Sequence, residues 1–531
     1  SGAGRALITG FTSTTIVTVT VVDTFASVNV ASGAWKITGS PKVQVTPSVA
    51  GPVGAGITLT AAANAWKNTA QVNHVGKFVE INGGLVEITA HTSALAVDGI
   101  VRSALSGTTA SPSDSWALRE NVWNATDGYP RAVSLFEQRL IAAGTTAFPQ
   151  TIWGSKVAEY DNFADGAADD DGFSFTIAAD QVNSVEHLAQ LRELIPLTFG
   201  GEFSMSGGDA AITSTNVKIR SQTTYGASNC RPVRVGSEIL FVQRGGRKIR
   251  SIGYRFDSDS YGAPDLTILA EHITDGGADG GLFEMGFSQE PDQVVWAIRG
   301  DGVLVTMTID RDQDAVGFGR QVTDGYFDSV AVIPDGDTDQ VWVATERTIG
   351  GVTKRYVEYF DPDRNTDCCV TGTSGSPATV WTGLAHLNGK TVAVVQDGFY
   401  GGTYTVSGGQ ITLDFAASEV EIGLPYTTTL VPVPPEVPTG QGTGQGNAMS
   451  VHEIIVRMHE AVGWKVNGQT IPTRSFSASA VLDEPLDPFT GDKRIENLGW
   501  ERGGTELVTI TQELPFGGAV LGVIYRMTVN D

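Results

Sequence analysis

From Ile8 to Val22 apolar residues alternate with Thr or Ser through most of ITGFTSTTIVTVTVV, the period-two signature of a half-buried β-strand. GITLTAA, GKFVEING and GLVEITAH repeat the pattern between Gly and Asn turns as far as about Leu118. Residues 1–125 therefore read as an N-terminal β domain. From Arg131 a rhythm of strand, Gly-containing turn and strand recurs five times. Its instances are LIAAG with TIWGS, LIPLTFGG with EFSMSG, ILFVQRGG with RKIRSIGY, VVWAIRGDG with VLVTMTID, and QVWVATERTIGG with VTKRYVEYF. The turns lie about 45 to 55 residues apart, near the ~40 to 50 typical of propeller blades. A blade cannot bury both its faces alone, so blades pack side by side. Trp153, Phe199, Phe241, Trp296 and Trp342 fall at corresponding points, suited to fill the spaces between blades. Two stacked sandwiches with the same spacing are the competing arrangement.

The fold class expected is mainly β, a β-propeller with flanking β-sandwich or platform domains. Blades occupy 126–375, a β-rich domain 376–438, a Gly-rich linker or loop 439–449 after the proline cluster LVPVPPEVPTG, and a C-terminal β or platform domain 450–531. Helix is scarce. Ser184 to Leu194 is the best short candidate, with Val185, Leu188, Leu191 and Leu194 on one face.

Composition sharpens this picture. The 64 glycines and the Val-, Ile- and Thr-rich apolar runs suit strands and turns. With 35 Lys plus Arg against 59 Asp plus Glu, the net charge is −24, which disfavours a sequence-reading DNA binder. Cys230, Cys368 and Cys369 give neither a simple disulfide framework nor a zinc site, which suits folding in a reducing cytosol. No apolar run approaches the roughly 18 to 20 residues needed to cross a bilayer, and no signal-peptide pattern opens the chain. The start SGAGRALITGF, close to a strand and without Met, suggests a missing upstream region.

Motifs of chemistry are weak. GLAHLNGKT (383–391) has five residues between its glycines where a phosphate loop has four, and a strand-like TVAVVQDG follows it. GQGTGQG lacks the flanking strand, helix and acid of a dinucleotide site. Asp257, Asp259 and Asp265, and Asp335, Asp337 and Asp339, resemble fragments of calcium loops without completing one, and Asp169 to Asp171 read as a solvated loop. Neither GxSxG nor HExxH occurs, and His452 and His459 match no metal spacing. The expectation is no catalytic residue, no cofactor and no metal. A carbohydrate hydrolase needs only two suitably spaced carboxylates, which a sequence does not display.

One local pattern opposes the global charge. Between Lys218 and Arg255 lie Arg220, Arg231, Arg234, Arg244, Arg247, Lys248 and Arg250, with Glu238 as the single acid. A solvated strand face is the ordinary reading. The functional one is a contact with an acidic neighbouring subunit, favoured over phosphate, which makes Arg244, Arg247, Lys248 and Arg250 interface candidates beside Trp153, Trp296 and Trp342.

The run RLIAAGTTAFPQTIWGSKVAEYDNF (139–163) resembles the tail nozzle family of short-tailed bacteriophages, also called tail tubular protein B. DDDGFSFTIAADQVNSVEHLAQLRELIPLTFGGEFSMSG, the stretch from TNVKIRSQTTYGASNC to TILAEH, SQEPDQVVWAIRGDGVLVTMTIDRDQ, FTGDKRIENLGW and ITQELPFGGAVLGV follow in the family's order. The similarity covers roughly residues 125–531. It implies a non-enzymatic virion protein, assembled in the host cytoplasm. It further implies a homo-hexamer that forms the distal DNA-ejection channel, joined above to adaptor or upper tail ring proteins and elsewhere to tail fibres or spikes. Genomic DNA would pass through without sequence-specific binding, past a wall of acidic or polar loops, with Gly166–Gly172 and Gly440–Asn447 as candidate gate segments. The alternative is a tail-associated glycan-binding or glycan-hydrolysing propeller.

Overall fold

The computed structural model describes residues 6–13, 16–21, 43–69, 72–112, 115–119, 121–166, 168–179, 183–311, 313–433, 435–439, 442–443, 448–473, 484–496, 500–502 and 507–530. The chain divides into two compact units, Ser1–Tyr129 and Pro130–Asp531.

In the first unit the Ile8–Val22 alternation does not make one strand. Ala6–Ser13 and Ile16–Val21 pair antiparallel as a hairpin. Six further strands, from Val45–Pro47 to Trp116–Arg119, form one sheet. Its buried face carries Val45, Leu59, Val79, Val86, Ile88, Val97 and Val101 in alternate positions, with Trp66 and Trp116 packed on it. The compact unit that holds this sheet ends at Tyr129.

In the second unit the five repeats become the second and third strands of five consecutive sheets, and the protein is a mainly β, propeller-type fold. Blade 1 holds Ala132–Phe136, Arg139–Ala143, Thr151–Gly154 and Phe173–Thr176. Blade 2 holds Val185–Gln190, Leu194–Thr198, Glu202–Ser206 and Lys218–Thr223. Blade 3 holds Val233–Val235, Glu238–Val242, Ile249–Arg255 and Ser260–Gly262. Blade 4 holds Leu282–Ser288, Val294–Arg299, Leu304–Asp310 and Ala315–Gln321. Blade 5 has three strands, Tyr326–Asp335, Thr338–Ile349 and Val352–Tyr359. Each blade is an up-and-down antiparallel meander.

Blade faces are buried against one another. Ile141, Ala143 and Ile152 of blade 1 pack on Val185, Leu188 and Phe203 of blade 2. Ile195 and Leu197 meet Ile239, Phe241 and Ile252 of blade 3, whose opposite face, with Leu240 and Val242, meets Val295, Val305 and Met307 of blade 4. Ile298 and Leu304 then meet Phe327, Val330, Val341 and Val343 of blade 5. Because strand side chains alternate, blades 2, 3 and 4 bury both phases of their central strands, and those strands read as nearly continuous apolar runs.

The helix expected over Ser184–Leu194 is absent. Val185–Gln190 and Leu194–Thr198 are adjacent strands of blade 2, joined by a turn. A β-bulge between Val185 and His187 adds one residue to the first strand, so Val185 and Leu188 reach the same buried cluster three positions apart. Helical spacing here comes from a bulged strand.

Beyond blade 5, Asp367–Thr382, Gln410–Leu424, Thr391–Gln396 and Phe399–Thr405 form a sheet in that spatial order. The boundary expected at 375/376 falls inside its first strand. The phosphate-loop lookalike at 383–391 runs through a single 3-10 turn, Ala385–Leu387, into the strand Thr391–Gln396, so it feeds no helix. In the Gly-rich tract, Gly442–Thr443 pairs with Pro438–Thr439, and the rest of 440–447 lies outside the described residues. The last β unit is centred on the long strand Ala448–Ala461, which pairs with Phe489–Glu496 and Ala519–Asn530 over a core of Met449, Ile454, Val456 and Met458. His452 and His459 both lie on this strand.

Candidate interaction surfaces

The three tryptophans occupy three different environments. Trp296 lies on the blade 4 face that packs on blade 5, its ring 5.0 Å from that of Phe360, and its Nε1 donates to Ser288 Oγ at 3.0 Å. It fills the space between blades. Trp342 is on the other face of blade 5, because its neighbours Val341 and Val343 point at blade 4. Its ring stacks 5.1 Å from Tyr359 on the adjacent strand, and its Nε1 donates to Gln340 at 3.1 Å. Trp153 is buried on the blade 1 face opposite Ile152, which points away from blade 2. Two of the three thus belong to the outer ends of the stack. Of the other two aromatics, Phe241 is fully buried between blades 2 and 3, whereas Phe199 is 51% exposed at a blade 2 turn.

The basic stripe is largely neutralised from within. Arg247 pairs with Asp275 at 2.8 Å, and Lys248 with Glu271 at 2.6 Å and Asp265 at 3.1 Å. The hydrogen bonds that the Lys248 ammonium donates to Glu271 and Asp265 hold it above its ordinary pKa. Arg250 donates to Gln243 and to the Ala263 carbonyl, and its guanidinium stacks 3.5 Å from the Tyr225 ring centre. Arg244 is exposed and lies over Phe199 at 5.9 Å, with no carboxylate partner among the described residues. Of the four cations, Arg244 keeps its charge open to a partner. The acids that pair with Arg247 and Lys248 come from Asp265 to Asp275, a connection between blades 3 and 4 whose fold a linear charge count does not reveal.

Arg139 and Arg347 are buried for structural reasons. Arg139, 1% exposed, donates to the carbonyls of Ser155 and Asp171 at 2.6 Å and of Asp169 at 2.5 Å. Lys156 pairs with Asp171 at 2.7 Å. The Gly166–Gly172 segment, a candidate gate, is thereby fastened to blade 1 along its described part. Arg347, also 1% exposed, pairs with Glu358 and Asp367 and donates to Thr323, tying blade 5 to the sheet that follows. Burial opposes its charge, but the hydrogen bonds it donates to the two carboxylates prevail and raise its pKa.

The calcium-like clusters serve as turns and ion pairs. Asp259 accepts from Tyr254, Asp265 from Lys248 and Thr267, Asp335 from Gln340, and Asp339 from the amides of Gln289 and Glu290. Among the described residues no three His, Cys, Asp or Glu side chains gather to hold a metal. Burial pushes the thiols of Cys230 and Cys368 up to about 12, so both are protonated at neutral pH.

A cleft of about 630 Å3 opens between the sheet after blade 5 and the last β unit. Asp363, Glu421, His459 and Glu460 line it beside Phe516 and Pro485. Glu421 is nearly buried, and one of its oxygens accepts from the Asn365 amide and the Thr366 hydroxyl.

The sequence pattern also contains surfaces that the charge and motif search passes over. Val133 (64% exposed) and Leu135 (57%) project from the first strand of blade 1, and Ile333, Val357 and Tyr359 project around Trp342 on blade 5. The signal is present in AVSLF, where Ala132 and Phe136 pack on one side while Val133 and Leu135, in the other phase, are also apolar.

No family model matches the chain, and no curated protein does. Among solved structures it is similar to an auxiliary nutrient binding protein from Bacteroides thetaiotaomicron, at 8% identity and TM-score 0.27, over 71% of this chain and 97% of the other. An equivalent protein from Bacteroides ovatus aligns at 7% identity and TM-score 0.26, over 60% and 86%. A luciferin-regenerating enzyme aligns at 12% and 0.20, over 46% and 94%. At this level the likenesses say nothing about function.

Proposed function

We propose that this chain is a structural subunit of a short phage tail, one of six copies in a nozzle ring that forms the distal DNA-ejection channel and carries fibres. One observation supports this reading above others. The resemblance to the nozzle family runs in order through stretches of the first four blades, the Arg139–Phe163 stretch included, and resumes at FTGDKRIENLGW and ITQELPFGGAVLGV in the last β unit. The acidic composition suits a channel wall that repels the phosphate backbone, since many Lys or Arg contacts would add salt-dependent attraction and slow passage. The ring's partners would be adaptor or upper tail ring proteins above and fibres or spikes at its side.

The 630 Å3 cleft favours a second reading, a glycan-binding or glycan-hydrolysing tail protein, because carboxylates stand there beside an aromatic ring. One set of measurements separates the two. Electron images of virions and of the purified chain are expected to show a six-fold ring at the tail tip, with no reducing ends released from host glycans. A chain that stays monomeric outside any virion, or glycan cleavage abolished by Glu421→Gln, would overturn the nozzle reading.

A further inference from the structure

The cleft between the sheet after blade 5 and the last β unit carries an unbalanced charge. Asp363, Glu421 and Glu460 line it, and no Lys or Arg stands among the described residues of its wall. Phe516, Pro485 and Pro515 give it rigid apolar sides. Its volume of about 630 Å3 falls within the ~300 to 1,000 Å3 of ligand sites. Three surface acids do not by themselves make a site, but Glu421 is not a surface acid. Its side chain is only 10% exposed. It stands on the strand Gln410–Leu424, paired with Val395 on one side and Thr371 on the other, so the backbone beneath it is fixed. Its Oε1 accepts from the Asn365 amide at 2.9 Å and the Thr366 hydroxyl at 2.8 Å, while its Oε2 accepts no hydrogen bond among the described residues. Arg364 Nη1 stays 3.9 Å from that oxygen, beyond hydrogen-bonding reach, and Arg364 Nε lies closer to Asp361 at 3.6 Å. His459 Nε2 is 4.0 Å from Glu460 Oε1, so it does not neutralise the cleft either. A withdrawn carboxylate oxygen without a donor is costly, and a donor brought from outside removes that cost.

We infer that this cleft is a socket for an arginine side chain presented by a protein partner. A guanidinium supplies the donor that Glu421 Oε2 lacks and the positive charge that the three acids leave uncompensated. Its planar head stacks on an aromatic ring such as Phe516, and its methylene stem packs along proline walls. A lysine ammonium would meet the charge without the stacking. A neutral sugar would meet the ring without the charge. A single arginine seated in such a pocket, with apolar walls that exclude water, is where the binding energy of a protein interface concentrates. The inference gives the chemistry of one partner to a chain proposed to sit among other tail proteins, and it holds whether or not six copies form a ring. It competes with the glycan reading for the same cleft.

The test uses the full chain and three small probes with blocked ends: N-acetyl-arginine amide, N-acetyl-lysine amide, and N-acetyl-citrulline amide, which keeps the shape of arginine without its charge. Saturation-transfer NMR reads binding, and circular dichroism verifies that each variant is folded. The arginine probe is expected to bind saturably, the lysine probe more weakly and the citrulline probe not at all. Glu421→Gln keeps an acceptor oxygen for Asn365 and Thr366 and should weaken the arginine probe by about tenfold, the loss of one charge-assisted hydrogen bond. Glu460→Gln, at a side chain 70% exposed, should weaken it as well and stands in if Glu421→Gln does not fold. Asp259→Asn, on a blade 3 turn outside the cleft, should leave binding unchanged. An arginine probe that does not saturate, or that binds both Gln variants like the unaltered chain, would overturn the inference. So would an equal loss in Asp259→Asn, which would reduce the effect to net charge, or equal binding of the lysine or citrulline probe. Host oligosaccharides that displace the arginine probe and are themselves lost with Glu421→Gln would overturn it in favour of the glycan reading. None of these outcomes decides the ring, which electron images test separately.

Discussion

Glu202 shows how a blade interface constrains single residues. It is fully buried in blade 2, with one carboxylate oxygen accepting from Thr223 Oγ1 and the Tyr225 amide while the other has no hydrogen-bond partner among the described residues. Burial raises its pKa above the ordinary glutamate value, and these hydrogen bonds offset that rise only in part. A folded-state pKa above the unfolded one means that the native state holds the proton more tightly. Stability from this group is therefore greatest below the unfolded value, falls as pH rises through it, and stays low above the folded value. Glu202→Gln, which keeps the shape of the protonated acid, is expected to be more stable than the unaltered chain at pH 8. The difference should vanish near pH 4, as read by urea unfolding at both pH values. Equal stabilities at pH 8 would show that the ionised carboxylate carries no penalty. Arg139 makes the opposite case, where a buried charge donates to the backbone carbonyls of Ser155, Asp169, Asp170 and Asp171.

Elements were legible in the sequence to the extent that their pattern was local. All five repeats are hairpins with the strands where the Gly turns put them, because a period-two run bounded by Gly specifies a strand without reference to the rest of the chain. Three features depended on distant residues and were not legible. The bulge at Val185–His187 gave a strand the spacing of a helix. The acids from Asp265 to Asp275 silenced Arg247 and Lys248. The side of the sheet each tryptophan faces depended on which neighbouring blade exists. That last distinction predicts different costs for similar changes. Trp296→Ala opens a cavity between blades 4 and 5 and is expected to cost about 3–5 kcal/mol in chemical denaturation. Trp342→Ala removes a ring from an uncovered face and is expected to cost about 1 kcal/mol, mainly the stacking on Tyr359. Similar losses from the two substitutions would place Trp342 in a buried interface of the single chain.

At the scale of the molecule, net charge and local pairing act together on nucleic acid. If the chain is the channel subunit proposed above, it must let DNA slide, and its cations should not be available as a row of phosphate contacts. The −24 charge repels duplex at long range, and at short range the one dense basic stripe has lost Arg247 and Lys248 to carboxylates and Arg250 to a carbonyl, an amide and a ring. Each phosphate neutralised contributes about −0.9 to the slope of log affinity against log salt, so a protein with few open cations has little affinity and little slope. The unaltered chain is therefore expected to bind a labelled duplex more weakly than the ~10⁻⁴ to 10⁻⁶ M of ordinary non-specific binders at physiological salt. The triple substitution Asp265→Asn, Glu271→Gln, Asp275→Asn would release Arg247 and Lys248 to join Arg244, giving binding that weakens steeply between ~50 and 200 mM salt. Fluorescence anisotropy at the two salt concentrations reads both outcomes. Micromolar binding by the unaltered chain would show that its cations do reach the backbone and would count against the proposed channel role.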